Sequence, residues 1–212
     1  MPVQQTIATP FGDGRLDSYR ARRPVASLLL SHGAGRGVDT RDLEALAAAL
    51  PRQGVHVHLF EQPWRVKGGK VASPPATLDI GFSTAARSLR GRVPFVVGGR
   101  SAGARSAART ASALGATGCL ALAFPLHPPG RPEKSRLDEL LGAGVPTLVV
   151  QGENDSFGRP DEFPGDVDLA VVPSADHGFA TPKRSGVSEA EAMEVVVESV
   201  LEWIVREVTG NP

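Results

Sequence analysis

The chain has 212 residues, which suits one domain with a sizeable core and is too short for two ordinary domains. Its 23 basic residues balance its 23 acidic residues, so no net field attracts nucleic acid or an anionic membrane. Cys119 is the only cysteine, which excludes an internal disulfide and a thiolate metal cluster. The chain shows no signal-peptide pattern and no apolar run long enough to span a membrane, so we expect a cytoplasmic protein.

The first predicted element is an antiparallel hairpin at a sheet edge, with strands over residues 3–8 and 16–19 and a turn at 12–14. Six short, continuous apolar runs follow it along the chain. Runs of this kind are typical of strands buried on both faces, as in a parallel sheet with helices on either side. The runs cover residues 25–31, 56–60, 94–98, 119–124, 146–151 and 169–172.

Helical patterns separate most of these runs. Thr40 and Asp79 can N-cap the first two helices, and Ser188 with Glu191 forms a capping box at the start of the last one. The predicted helices cover residues 41–50, 80–89, 102–114, 132–141 and 189–208. The alternation of strands and helices predicts an α/β domain with a doubly wound, mostly parallel sheet. Sites in such sheets lie at the carboxyl ends of the strands, so we expect the chemistry in the loops that follow the apolar runs.

A candidate nucleophile follows the run at 94–98. Residues 99–103 read Gly-Arg-Ser-Ala-Gly, a G-x-S-x-G sequence between a predicted strand and a predicted helix. A serine on so sharp a turn brings the residues two before and two after it close together, and only very small side chains clear that approach. The turn exposes the Ser101 hydroxyl at a helix N-terminus, where negative charge is favoured. The alternative is a tight turn with a capping serine.

The base and the acid are expected in later loops. His177 lies between the last predicted strand and the last helix, where the order of serine, acid and histidine in α/β-hydrolases places the base. Asp155 follows the run at 146–151 and is the preferred acid, with Glu153 as the second choice. Asp176 is a poorer candidate, because adjacent residues in an extended loop point in different directions. The two histidines of the strand at 56–60 are expected to be packed or edge residues.

An oxyanion hole needs two aimed N–H donors. One should be the amide of Ala102. The other is expected in the glycine-rich loop at 32–37, where Ala34 is the first choice and Gly35 the second, with His32 bracing the loop. The loop has neither the phase of a dinucleotide-binding motif nor the Gly-Lys-Ser/Thr of a phosphate-binding loop, and no metal-ligand motif occurs. We therefore predict no cofactor and no metal.

Several stretches resemble α/β-hydrolase-fold proteins of the dienelactone-hydrolase-like group, and within it a small family. The eukaryotic relatives of that family include a testis-expressed protein and a subunit of a chromatin acetyltransferase complex. The resemblance rests on residues 31–37, 60–65, 98–105, 124–133, 151–158 and 176–179. It implies the α/β-hydrolase fold over residues 1–212. True dienelactone hydrolases use a cysteine nucleophile where this chain has Ser101, so their substrate is not carried over.

The segment between Phe124 and Asp155 is too short for a lid domain. It has only about thirty residues, and a helix and a strand must fit within it. The loop at 62–75 is the best candidate for a cover over the site. Basic loop residues either favour an acidic substrate or form a solvated rim: Arg36, Arg65, Lys67, Lys70 and Arg131. The candidate pocket residues are His32, Gly33, Gly35, Trp64, Arg100 and His127.

Two functions are consistent with the sequence. The first is a serine hydrolase that acts on a small ester or thioester, although acyl transfer would use the same residues. The second is a catalytically silent binding or scaffold protein, because the eukaryotic relatives are described as interaction subunits or uncharacterised hydrolases. The expected partner of the enzyme is a small ester-like molecule. The sequence contains no signal from which the oligomeric state can be predicted.

Overall fold

The protein forms one eight-stranded sheet in a computed structural model that describes residues 2–89 and 91–210. In chain order the strands are β1 (Val3–Thr9), β2 (Gly12–Tyr19), β3 (Ala26–Ser31), β4 (Val55–Glu61), β5 (Phe95–Arg100), β6 (Gly118–Leu122), β7 (Thr147–Gly152) and β8 (Asp168–Val172). Their spatial order is β1-β2-β4-β3-β5-β6-β7-β8, and all pairs from β4 to β8 are parallel. The fold is the predicted α/β-hydrolase fold.

The first two strands form the expected hairpin at the sheet edge, and β2 joins β4 in an antiparallel pair. The predicted position of the turn is wrong. Thr9 pairs with Gly12, so Pro10 and Phe11 make the turn and residues 12–14 belong to β2. The Thr9 side chain holds this turn, because its Oγ1 donates to the Gly12 carbonyl at 2.7 Å and accepts from the Phe11 amide at 3.2 Å.

Helices cover both faces of the sheet. They are α1 (Arg41–Ala49), α2 (Pro63–Val66), α3 (Pro75–Ser88), α4 (Ala102–Thr110), α5 (Leu137–Leu141) and α6 (Glu189–Trp203). One apolar core lies on the side of α1 and α6, and a second lies on the side of α3, α4 and α5. This arrangement explains why every residue of β3 and of β6 is buried. Their continuous apolar runs therefore face helices on both sides.

Several predicted helix ends are wrong. The helix α3 begins at Pro75, which suits a first helical position, and Asp79 lies inside it, where it accepts hydrogen bonds from Ser106 and Arg109 of α4. The helix predicted over 102–114 ends as α4 at Thr110 and continues after one residue as a 3₁₀ turn. The helix predicted over 132–141 is two pieces, a 3₁₀ turn over Pro132–Lys134 and the short α5.

The last helix begins with the predicted capping box. The Ser188 side chain accepts from the Glu191 amide, and the Glu191 side chain accepts from the Ser188 amide. The regular helix α6 ends at Trp203, and residues Ile204–Val208 form a π-helical turn. Thr40 stands at the N-cap of α1 as predicted, but its side chain makes no capping hydrogen bond.

The segment between β6 and β7 contains only loops, the 3₁₀ turn and α5, so no lid domain lies over the carboxyl ends of the strands. The parallel strands bring those ends to one edge of the sheet, where Ser31 pairs with Gly99 and Gly152 with Val172. The loops predicted to carry the chemistry therefore meet at this edge. Within residues 2–89 and 91–210, no helix combines the length and apolar character needed to cross a membrane.

Candidate active site

Ser101 lies on a strained turn between β5 and α4, with φ of 54° and ψ of −113°. A positive φ is unfavourable for a residue with a Cβ, and such strain collects at functional sites. The flanking glycines are sterically required. A Cβ at Gly99 would lie 2.6 Å from the carbonyl carbon of Gly103, and one at Gly103 would lie 2.4 Å from the carbonyl oxygen of Ser31. The turn thus has the geometry that the G-x-S-x-G spacing predicts.

The three residues predicted as nucleophile, base and acid lie within hydrogen-bond distance of one another. His177 Nε2 is 3.0 Å from Ser101 Oγ, and His177 Nδ1 is 2.8 Å from Asp155 Oδ2. Because a carboxylate only accepts, Nδ1–H donates to Asp155, and Nε2 of the neutral ring is free to accept the Ser101 hydroxyl proton. The Asp155 side chain is completely buried, whereas 20% of the His177 side chain is exposed.

The two alternative carboxylates have other partners. Glu153 Oε2 accepts from the Ser174 amide at 2.6 Å, which ties the loop after β7 to the loop after β8. Asp176 Oδ1 accepts from the amides of Gly178 and Ala180, and so shapes the turn that carries His177. Of the three acids considered from the sequence, Asp155 is therefore the one that the structure brings to the imidazole.

Two neighbours of this group were not found from the sequence. Gln151 is fully buried in β7, and its Nε2 donates to Asp155 Oδ2 at 2.8 Å and to the Gly158 carbonyl at 2.8 Å. The ring of Phe157 lies 4.2 Å from that of His177 at an angle of 31°. The Phe157 amide also donates to Asp155 Oδ1 at 2.8 Å. A polar residue at the end of an otherwise apolar strand was the available signal for Gln151.

The glycine-rich loop after β3 lies against the serine. A Cβ at Gly33 would be 3.2 Å from the Cβ of Ser101, so the backbone of the loop passes beside the candidate nucleophile. The His32 side chain fixes the loop through hydrogen bonds of both ring nitrogens. Its Nε2 accepts from the Gln62 amide at 3.0 Å, and its Nδ1 donates to the Gly33 carbonyl at 2.8 Å. Burial lowers the pKa of His32, in agreement with this neutral tautomer.

Three further residues were predicted to line the pocket, namely Trp64, Gly35 and His127, and the structure places them differently. Trp64 in α2 packs against His32 with ring centroids 5.5 Å apart, while Gly35 lies on the outer part of the glycine-rich loop. The His127 side chain bonds instead to the Pro128 carbonyl through Nδ1 and to the Glu162 carboxylate through Nε2. Those two acceptors raise the pKa of His127, with the Pro128 carbonyl making the larger contribution. His127 thus joins two loops.

A second serine–histidine pair lies in the body of the sheet. Ser18 Oγ is 2.8 Å from His58 Nδ1 across β2 and β4, and both residues are buried. Burial lowers the pKa of His58 to about 4, so the ring is neutral at physiological pH. No ion pair between His58 and a carboxylate occurs among the described residues. This pair therefore has the character of a packed contact, as expected for the histidines of that strand.

Cys119 is fully buried in β6, where burial raises the pKa of its thiol to about 12. A thiol of that kind is not a nucleophile at neutral pH. In the part of the chain that the structure describes, no group of three or more His, Cys, Asp or Glu side chains is placed to hold a metal ion. Ser101, on the turn between β5 and α4, therefore remains the candidate nucleophile at the carboxyl edge of the sheet.

A serine on a strained strand-to-helix turn, in a sheet with this strand order, is the arrangement of α/β-hydrolases. Residues 24–205 match the family described as an alpha/beta hydrolase domain, and the chain belongs to that family.

Solved structures with the same fold cover almost the entire chain. An α/β serine hydrolase without a lid from Xanthomonas campestris aligns with a TM-score of 0.71 at 19% identity, over 95% of this chain and 94% of that one. Dienelactone hydrolase from Anabaena variabilis aligns with a TM-score of 0.72 at 15% identity, over 98% of each chain. Est1E from Butyrivibrio proteoclasticus gives 0.70 at 14% identity, over 95% of this chain and 99% of that one.

Proposed function

We propose that the protein is a serine hydrolase that cleaves a small ester or thioester through an acyl-enzyme at Ser101. The observation that carries the proposal is the position of the His177 ring, which is bonded at once to Ser101 Oγ and Asp155 Oδ2. Membership of the alpha/beta hydrolase family supports a hydrolase. We also propose that the chain is related to the dienelactone-hydrolase-like group, and within it to the small family that has eukaryotic complex subunits.

In the proposed reaction, Ser101 Oγ attacks the carbonyl carbon of the substrate while His177 Nε2 takes the hydroxyl proton. The tetrahedral intermediate collapses when its bond to the leaving oxygen or sulfur breaks, and His177 returns the proton to that atom. In the second half of the reaction, water attacks the acyl carbon while His177 Nε2 takes its proton. The bond to Ser101 Oγ then breaks, His177 returns the proton to Oγ, and the acid is released. Asp155 keeps the ring in the required tautomer and stabilises the imidazolium.

The oxyanion of the intermediate would be held by the Ala102 amide, at the start of α4, and by the Ala34 amide, with Gly35 as the alternative donor. The Gly33 backbone beside Ser101 supports this assignment, because it brings the loop to the reacting atoms. His32 would keep the loop in shape through its bond to the Gly33 carbonyl. The neutral state of His32 matters here, since protonation of Nε2 would break the bond from the Gln62 amide.

The absence of a lid in the described segment between β6 and β7 suits an open site and a small substrate, with Trp64 of α2 as one wall. Part of the basic rim has local partners, because Lys67 Nζ donates to the Phe11 carbonyl at 2.8 Å. Arg36, by contrast, lines a cavity together with Arg100 and Gly178.

The deciding experiment is labelling of the purified protein by a fluorophosphonate probe, with S101A and H177A beside the wild type. The probe reacts with activated serines, and we expect labelling of the wild type that is abolished in both variants. S18A is the matched control, because Ser18 also bonds to a histidine but lies inside the sheet. It should label like the wild type.

Labelling would be followed by a panel of p-nitrophenyl, thioester and feruloyl esters, the last because Est1E has been solved with ferulic acid bound. A folded wild type that the probe does not label would contradict the proposal. That result would favour the alternative of a binding or scaffold protein.

A further inference from the structure

Arg100 occupies the position directly before the nucleophile, and its side chain turns back into the protein. It is the last residue of β5, and only 14% of its side chain is exposed. An arginine at the active-site edge without a local role would extend into solvent, because ordering a long side chain costs conformational entropy. The buried position therefore indicates that its contacts hold it in place.

The guanidinium contacts three separate parts of the site. Its Nη2 donates to the backbone carbonyl of His177 at 2.5 Å. Its Nε lies 3.2 Å from Oδ2 of Asp42 in the first turn of α1. Its Nη1 lies beside the glycine-rich loop, since a Cβ at Gly33 would be 3.3 Å from it. One rigid, planar group thus contacts the histidine loop, α1 and the loop expected to hold the oxyanion.

Asp42 gives the guanidinium a fixed anchor. The residue is completely buried, and neither its carboxylate oxygens nor Arg100 Nε has a hydrogen-bond partner among the described residues, so the two side chains meet as an ion pair without a hydrogen bond. Burying a carboxylate without a cation is strongly unfavourable, so the ion pair with Arg100 compensates its charge together with the N-terminus of α1. Because α1 packs against α6 in the core, the position of Asp42 is set by the body of the domain.

Arg100 and Ser101 are consecutive in the chain, whereas His177 comes 77 residues after Arg100. The hydrogen bond from Arg100 to the His177 carbonyl and the hydrogen bond from Ser101 Oγ to His177 Nε2 therefore close a small ring of contacts. A charge-assisted bond at the carbonyl limits how far the backbone of His177 can move from the serine. A misplacement of about 1 Å at such a site can lower a rate about 10²-fold.

We infer that Arg100, anchored by Asp42, is a positioning residue that holds His177 in register with Ser101. The inference rests on the proposed function, since it concerns the same serine and histidine. Lysine cannot replace this arginine, because a single ammonium cannot both donate to the His177 carbonyl and lie beside Asp42, as two separate nitrogens of the guanidinium do. R100K keeps the positive charge near Asp42 and loses the geometry.

The test is the kinetics of fluorophosphonate labelling, which separates the maximal inactivation rate kinact from the probe affinity KI. For R100K we expect kinact to fall about 10- to 100-fold with KI unchanged, because the side chain acts on His177 and not on the probe. R105K is the matched control. Arg105 on α4 is similarly buried and ion-paired, with Glu139, but it does not contact the histidine loop. Its kinact should stay within about twofold of the wild type.

A second readout uses the cavity of about 210 Å³ that Arg100 lines. In R100A, ethylguanidinium should restore part of the labelling rate, at least about threefold, whereas ethylammonium at the same concentration should not. If circular dichroism shows that R100K and R100A are unfolded, D42N becomes the deciding variant. It removes the anchor and keeps the arginine, and its kinact should fall at least about threefold.

The outcomes are distinct. A wild type that the probe does not label overturns the proposed function and this inference with it. A labelled wild type with R100K, or failing that D42N, labelled at the wild-type rate overturns the inference alone. Equal rescue of R100A by both cations also overturns it, because charge would then be sufficient and geometry would have no part.

Discussion

Asp155 and Glu153 lie two residues apart in the loop after β7, and their environments give them different partners. Asp155 is completely buried, and its Oδ2 is within hydrogen-bond distance of both the His177 ring and the Gln151 amide. Glu153 binds the Ser174 amide at the protein surface. At the scale of single residues, the depth of a carboxylate and its reach toward His177 distinguish the two acids, whereas residue type does not.

We predict that D155N lowers the rate of probe labelling about 10³- to 10⁴-fold. An asparagine amide can donate to the ring, which favours the tautomer in which Nε2 carries the proton and cannot accept from Ser101. E153Q in the same loop should change the rate less than about threefold, because the amide oxygen can still accept from Ser174. Equal losses of labelling rate in both variants, measured with folded protein, would contradict the prediction that Asp155 orients His177.

At the scale of elements, the two helices α1 and α6 begin in different ways. Ser188 caps α6 through reciprocal bonds with Glu191. Thr40 occupies the same position at α1, but its hydroxyl is buried and has no hydrogen-bond partner among the described residues. A side chain stabilises a helix N-terminus only when it accepts from a free amide. The two N-caps should therefore contribute unequally to stability, although both residues carry a hydroxyl.

We expect S188A to lower the free energy of unfolding by about 1 kcal/mol. T40V keeps the shape of threonine and removes only the unpartnered hydroxyl, so it should change that free energy by less than about 0.5 kcal/mol. Urea unfolding of both variants beside the wild type measures these differences. A loss in T40V as large as that in S188A would mean that the Thr40 hydroxyl has a partner in solution.

At the scale of the whole molecule, buried histidines couple stability to pH. Burial lowers the pKa of His58 to about 4 and also lowers that of His32. Both groups bind protons more readily in the unfolded chain, so they contribute stability above the unfolded pKa of about 6.5. The contribution of His58 is lost as the pH falls from about 6.5 toward 4, and that of His32 is lost in the same direction. His127, whose pKa is raised, acts in the opposite sense and contributes stability at low pH.

We predict that His58 alone makes the domain about 2 kcal/mol less stable at pH 5 than at pH 7. H58Q should reduce this difference, because glutamine does not titrate, even where it lowers stability at pH 7. H127Q is the control of opposite sign, because the pKa of His127 is raised and its removal should enlarge the pH difference. Urea unfolding at the two pH values gives the result, and an unchanged pH difference in H58Q would contradict the assignment to His58.

The sequence by itself determined those features whose causes are local. Continuous apolar runs predicted the parallel strands, the glycines around Ser101 predicted a strained turn, and the spacing of Ser188 and Glu191 predicted a capping box. The hairpin turn and several helix ends were placed wrongly, because short-range propensity does not determine where pairing stops.

Only the tertiary structure decided which carboxylate reaches His177 and what surrounds it. The sequence favoured Asp155 over Glu153 by position alone, and their different partners arise because the loops after β7 and β8 meet at one sheet edge. The contact of Arg100 with His177 joins residues 77 positions apart, and Asp42 lies on yet another element. Such contacts depend on the packing of the whole sheet against its helices, which no local pattern in the chain encodes.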